Sequence, residues 1–125
     1  MSAEIQLVAV LRDDPDVSAL VDMRIYPDIL PQNPVYPSIT YFEIDPGAQY
    51  CLSGPSDLTN PQIQVDCWAV TRSGAKDLAA KVKAAIDGAN TFKGLLVAGR
   101  SIYEDEVDVY RSSLDFSIWY KELES

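Results

Sequence analysis

Asp66 and Asp115 stand in matching settings, each two residues before a tryptophan, Trp68 and Trp119, inside runs that alternate apolar and polar side chains. Two carboxylates in similar places on two strands could in principle form the pair of a glycosidase-like hydrolysis. The same spacing has a simpler consequence, because alternation places every second residue on one face of a strand. Gln62, Gln64, Asp66 and Trp68 then share one face, and Ser113, Asp115, Ser117 and Trp119 share another. Hydrogen-bonding groups beside large aromatic anchors suit a non-obligate protein interface. The competing reading of the tryptophans is burial beneath a loop, and a small hydrolase using Asp66 and Asp115 is the distant alternative.

Other catalytic arrangements find little support. Histidine, the commonest neutral-pH base, is missing from the chain. Cys51 and Cys67 have no histidine or further cysteine nearby to complete a metal site, and read as buried thiols, with a bond between them left open. The acidic run Glu104, Asp105, Glu106 and Asp108 offers hard oxygen ligands but lacks the twelve-residue calcium-loop pattern. It reads as a solvated turn and a candidate contact surface. Gly74, Gly88, Gly94 and Gly99 are scattered without phosphate-loop spacing. The expectation is a protein with no catalytic residue, metal or cofactor.

The elements that must position these residues follow from periodicity. Ile5, Leu7, Val8 and Leu11 form the stripe of a short helix over Ala3 to Arg12, and Asp14 before Pro15 starts a second helical turn carrying Val17, Leu20 and Val21. Pro27, Pro31, Pro34 and Pro37 force a loop after a brief extended piece at Arg24 to Tyr26. Its Ile29, Val35 and Tyr36 should hold it against the body of the protein. Ser38 to Asp45 reads as a strand, Pro46-Gly47 as a turn, and Tyr50 to Leu52 as a short return strand. Ser53 to Pro61 is a hairpin or protruding loop, and Gln62 to Val70 is the clearest strand.

Thr71 or Ser73 caps the strongest helix, in which Ala75, Leu78, Ala79, Val82 and Ile86 recur every three or four residues before Gly88. Phe92 to Ala98 and Arg100 to Glu104 read as extended pieces broken at Gly99, and Val109 to Tyr120 as the last strand. One strong helix between strands favours an α+β class, a mostly antiparallel β-sheet with helices packed on one face, over a doubly wound parallel sheet. Residues 1–125 are expected to form one domain.

Nineteen acidic against ten basic residues give a net charge of -9. Such a field repels nucleic-acid backbones and, at low salt, other copies of the same chain. The hydrophobic share of 47% suits a globular core. No apolar run approaches the ~18 residues of a membrane helix, and no basic-then-apolar leader opens the chain, so no membrane association is expected.

Three segments carry a wider resemblance: "RIYPDILPQNPVYPSITYFEI" from Arg24 to Ile44, "QIQVDCWAVTRSGAKDLAAKVKAAI" from Gln62 to Ile86, and "YRSSLDFSIWY" from Tyr110 to Tyr120. Asp66-Cys67-Trp68 before a helix, paired with Ser113-Leu114-Asp115-Phe116, is the most distinctive part. Through nearly its whole length the chain resembles the small tail-completion and tail-terminator proteins of long-tailed bacteriophages and prophages. The resemblance implies a structural virion protein, at home in the tail or neck and in the host cytoplasm during assembly. It further implies a hexameric ring that caps the tail tube, contacts the major tail tube protein and a head-completion or stopper protein, and lets DNA pass without specific recognition. The isolated chain can be monomeric, and another minor tail or neck position is the alternative. Partner-specific contacts are expected in Gly47 to Asn60 and Glu104 to Asp108, and the outward sides of the strands are expected to hold neighbouring subunits.

Overall fold

The structure, a computed structural model, describes residues 3–51 and 57–122. Along the chain run α1 (Ala3–Asp13), α2 (Pro15–Val21), β1 (Ile25–Pro27), β2 (Ser38–Cys51), β3 (Asp57–Ala69), α3 (Arg72–Asp87), β4 (Lys93–Glu104) and β5 (Val109–Glu122). The strands form one five-stranded sheet in the order β1-β2-β3-β5-β4. β1 is parallel to β2, and the other three pairings are antiparallel. This is the expected α+β class, a mostly antiparallel sheet with three helices packed alongside.

Local chemistry sets the helix ends where the sequence places them. Asp14 Oδ1 accepts from the backbone N–H groups of Asp16 at 2.9 Å and Val17 at 3.1 Å, and Pro15 fills the first turn, where no N–H is needed. Thr71, and not Ser73, caps α3, its hydroxyl accepting from Gly74 N at 3.0 Å. The solvent side of α3 carries the pairs Lys81–Asp77 at 3.2 Å and Lys83–Asp87 at 2.7 Å.

Leu7 and Leu11 of α1, Val17 and Val21 of α2, and Leu78, Val82 and Ile86 of α3 meet Ile39, Ile63, Val65, Leu114, Phe116 and Ile118 in one buried cluster. Full burial of each such side chain contributes about 1.5 to 3 kcal/mol before the entropy of ordering it. The alternation of β3 and β5 therefore decides which face turns inward. α1 and α2 lie over β2, while α3 covers β3, β5 and β4.

Sequence expectations are corrected at five places. Ile29 and Val35 do not hold the proline-rich loop down, both being largely exposed, and Asp57 to Pro61 forms the start of β3 in place of a loop. Pro46-Gly47 is not a turn: β2 continues through it to Cys51, with register shifts between Glu43 and Asp45 and between Asp45 and Ala48. An irregular register accommodates a proline that has no N–H for the ladder. Tyr50 and Cys51 consequently continue β2 and pair with Leu58 and Asp57, in place of the expected return strand; Leu52 and Ser53 to Ser56 lie outside the described residues. β4, finally, is one strand whose register shifts between Leu96 and Ala98, and Gly99 stays in register opposite Leu114. A side chain at Gly99 would meet Leu114 Cδ2 at 3.5 Å.

Candidate assembly interface

Strand register gathers the residues singled out in the sequence. Across β3 and β5 the opposed pairs are Trp68–Arg111, Asp66–Ser113, Gln64–Asp115 and Gln62–Ser117. β2 extends this face with Thr40 opposite Asp66 and Phe42 opposite Gln64, and β4 adds Arg100 opposite Ser113 and Lys93 opposite Trp119. The face points away from the core that the helices complete.

Asp66 and Asp115 are not an opposed pair, since each faces another partner across the ladder. Each is also held by its own arginine. Arg111 Nη1 donates to Asp66 Oδ2 at 3.3 Å, and Gln64 Nε2 donates to both Asp66 oxygens at 3.0 and 3.2 Å. Arg100 Nη2 donates to Asp115 Oδ2 at 2.8 Å while Nη1 donates to Ser113 Oγ at 3.0 Å. An acid–base couple needs carboxylates free to exchange protons with a substrate, and these two are engaged in holding the sheet face together.

Trp68 belongs to the same network. Its Nε1 donates to Thr40 Oγ1 at 2.9 Å, and the Arg111 guanidinium lies 5.2 Å from its ring centroid. Arg111 Nη2 also donates to Glu104 Oε1 at 2.8 Å, which ties the acidic run to the sheet. In that run Asp108 accepts from the Tyr103 hydroxyl, and Asp105 and Glu106 are exposed. Asn60 Nδ2 donates to Ser117 Oγ at 2.8 Å. Asp66, Ser113 and Ser117 are thus buried, whereas Gln62, Gln64, Trp68, Asp115 and Trp119 are half-buried.

The proline-rich loop folds over one side of this face. Asp28, Ile29, Leu30, Pro34 and Tyr36 form one wall of a groove of about 440 Å³, Val107 stands on it from the acidic turn, and Thr40, Phe42, Gln64, Asp66, Trp68 and Arg111 also line it. Loop burial and an open aromatic surface are therefore both true of Trp68 in part. Sequence reading missed Arg111, Arg100, Thr40 and Phe42. Arg111 was accessible to it, because it continues the alternating set Ser113, Asp115, Ser117, Trp119 by one step.

Burial pushes the Cys67 thiol far up, with the Asp66 charge adding to it, so it is a poor nucleophile. Among the described residues no group of three or more His, Cys, Asp or Glu is placed to hold a metal ion. No helix among them is long and apolar enough to cross a membrane.

Residues 5–121 match the family model described as tail completion protein gp17. The chain belongs to the tail completion protein gp17 family. Tail completion proteins are structural parts of the virion and not enzymes, so this one takes its place in the tail or neck region of a phage particle. Its fold is shared by a chain in the virion of a native gene transfer agent particle, with a TM-score of 0.65 and 20% identity, over 97% of this tail completion protein and 96% of that chain. No curated protein matches it.

Proposed function

We propose that this tail completion protein caps the phage tail tube and joins it to the head-completion complex, acting as one domain that repeats six times in a ring around the DNA path. The observation that carries the proposal is the division of the sheet: the helices fill one face, and the opposite face carries a braced polar network with half-buried aromatics beside an open groove. Arg111, Arg100 and Asn60 fix the buried Asp66, Ser113 and Ser117 from within. The half-buried side chains that this face presents are Gln62, Gln64, Trp68, Asp115 and Trp119, with the exposed Asp105 and Glu106 at the turn. Aromatic side chains on a pre-formed face are the kind of anchor from which interfaces draw most of their binding energy. A net charge of -9 suits a ring that DNA traverses without adhering.

The test is to mix purified protein with tail tubes built from the major tube protein and to image the tube ends. Expected is a ring at one end of each tube, arrest of tube growth, and binding of the head-completion protein to capped tubes only. Tubes that keep growing with no added density at either end would overturn the proposal. Trp119→Ala should weaken this capping far more than it lowers the monomer's melting temperature.

A further inference from the structure

The two edges of the sheet differ in kind. β1 is three residues long, ends on Pro27 and is followed by Asp28, features that blunt an edge against strand pairing. β4 is twelve residues long and has β5 as its sheet neighbour on one side alone. From Leu95 to Gly99 it carries no charge. Leu95, Leu96 and Val97 are 47%, 37% and 56% exposed. The register shift between Leu96 and Ala98 and the flanking Lys93 and Arg100 blunt this edge against strand pairing too, so what it offers another chain is its exposed apolar side chains.

The opposite end of the sheet is apolar in a different way. Met23, Ile29 and Val35, flanking β1, are 66%, 79% and 60% exposed. Charge is divided between the same two ends. From Ala3 to Asp45, the segment of α1, α2, β1 and the start of β2, eight carboxylates stand against two arginines. From Arg72 to Glu104, the segment of α3 and β4, six basic residues stand against three acidic ones. Because α1 and α2 sit over β2 while α3 sits over β3, β5 and β4, this division runs across the sheet from edge to edge.

We infer that copies of this chain associate head to tail, the apolar β4 edge with its basic α3 flank seating on the acidic, apolar β1 edge of the next copy. The inference rests on the ring proposed above and names the surfaces that close it. Two different patches at opposite ends of one sheet make a heterologous contact, which continues from copy to copy until it closes. Pairing β4 with β4 would stop at a dimer and oppose like charges. Head-to-tail contact brings unlike charges together and covers the exposed apolar side chains of both edges.

The experiment uses the full chain on tail tubes, with Cys51→Ser as background and the buried Cys67 left in place. Ile29→Cys and Val97→Cys are introduced singly and together, and a short bis-maleimide is added. Expected is a ladder extending past the dimer for the double variant and no ladder for either single variant. Dimers from Val97→Cys alone, at the yield of the double variant, would show β4-on-β4 pairing and overturn the inference. Rings imaged with the double variant but never cross-linked would overturn it while leaving the ring intact. Wild-type protein that never forms rings on tubes would remove both. Leu95→Glu with Val97→Glu gives a second readout: ring yield should fall by more than about tenfold, since it sets like charges against the acidic β1 edge, with the monomer melt unchanged. Wild-type ring yield from that variant would equally overturn the inference.

Discussion

Arg111 and Asp66 are joined across β3 and β5 although neither faces the other in register: Arg111 opposes Trp68, Asp66 opposes Ser113, and the 3.3 Å contact runs diagonally. The Asp66 side chain is 4% exposed and the Arg111 side chain 23%. Removing the cation would strand a buried carboxylate with Gln64 as its remaining side-chain donor. Breaking a buried pair costs about 3 to 5 kcal/mol, and the solvent access of Arg111 reduces this to about 2 to 3 kcal/mol for Arg111→Met. Asp66→Asn with Arg111→Met should cost less than the two single changes summed, with a coupling of about 1 to 2 kcal/mol in urea melts. Additive losses would show that the two residues stabilise the sheet independently.

Gly94 of β4 packs against Ile86 of α3 with no room for a side chain. A Cβ there would lie 2.5 Å from Ile86 Cγ2 and 3.3 Å from Ile118 Cδ1, both in the core. Ile86 Cγ2 is fixed to a branched carbon and cannot swing aside. Gly94→Ala is therefore expected to destabilise the protein by about 1 to 3 kcal/mol through overpacking. Gly99→Ala is the control, because its added methyl would meet Leu114 Cδ2 at an ordinary 3.5 Å. It should change stability by less than about 0.5 kcal/mol, and equal losses at both sites would refute the steric account.

Alternation and capping made the fold legible, because both are local. Asp14-Pro15, the stripe of α3 and the two alternating strands each state their own structure, and the faces of β3 and β5 follow from them. The ion pairs on the outer face were not legible. They depend on which strands become neighbours and in what register, and register here is set by long-range packing of Phe116, Ile63 and Val65. Pro46-Gly47 and Gly99 misled for a related reason. Local turn signals compete with the ladder on either side, and in β2 and β4 the ladder prevailed.

Glu4 carries a pH signature. Desolvation, then the charges of Glu43 and Asp28, push its carboxyl above the usual range. A carboxyl raised by folding favours the folded state while it is protonated, and that contribution is lost as pH rises through its folded value. Glu4→Gln, which mimics the protonated form, should raise the melting temperature at pH 7, by an effect worth roughly a few tenths of a kcal/mol at this partly exposed site. The gain should vanish below the ordinary glutamate range. A Glu4→Gln gain that persists unchanged at pH 3 would assign it to packing instead of charge.

Salt should separate net charge from local complementarity. Two copies of charge -9 with centres about 30 Å apart repel by about 4 kcal/mol at 0.01 M salt, where the screening length is about 30 Å. At 0.15 M, with a screening length of about 8 Å, the same repulsion falls to about 0.3 kcal/mol. Unlike charges in contact at about 4 Å in water attract by about 1 kcal/mol and keep more than half of that at 0.15 M. Self-association measured by sedimentation velocity should therefore strengthen from 0.01 M to 0.15 M as repulsion is screened. Towards 1 M it should weaken again, because a screening length of about 3 Å reaches the contact pairs between β4 and β1 edges. Association that falls steadily from the lowest salt upward would mean that net repulsion never limits assembly. Association that rises steadily to 1 M would mean that opposite charges across the edges contribute nothing to it.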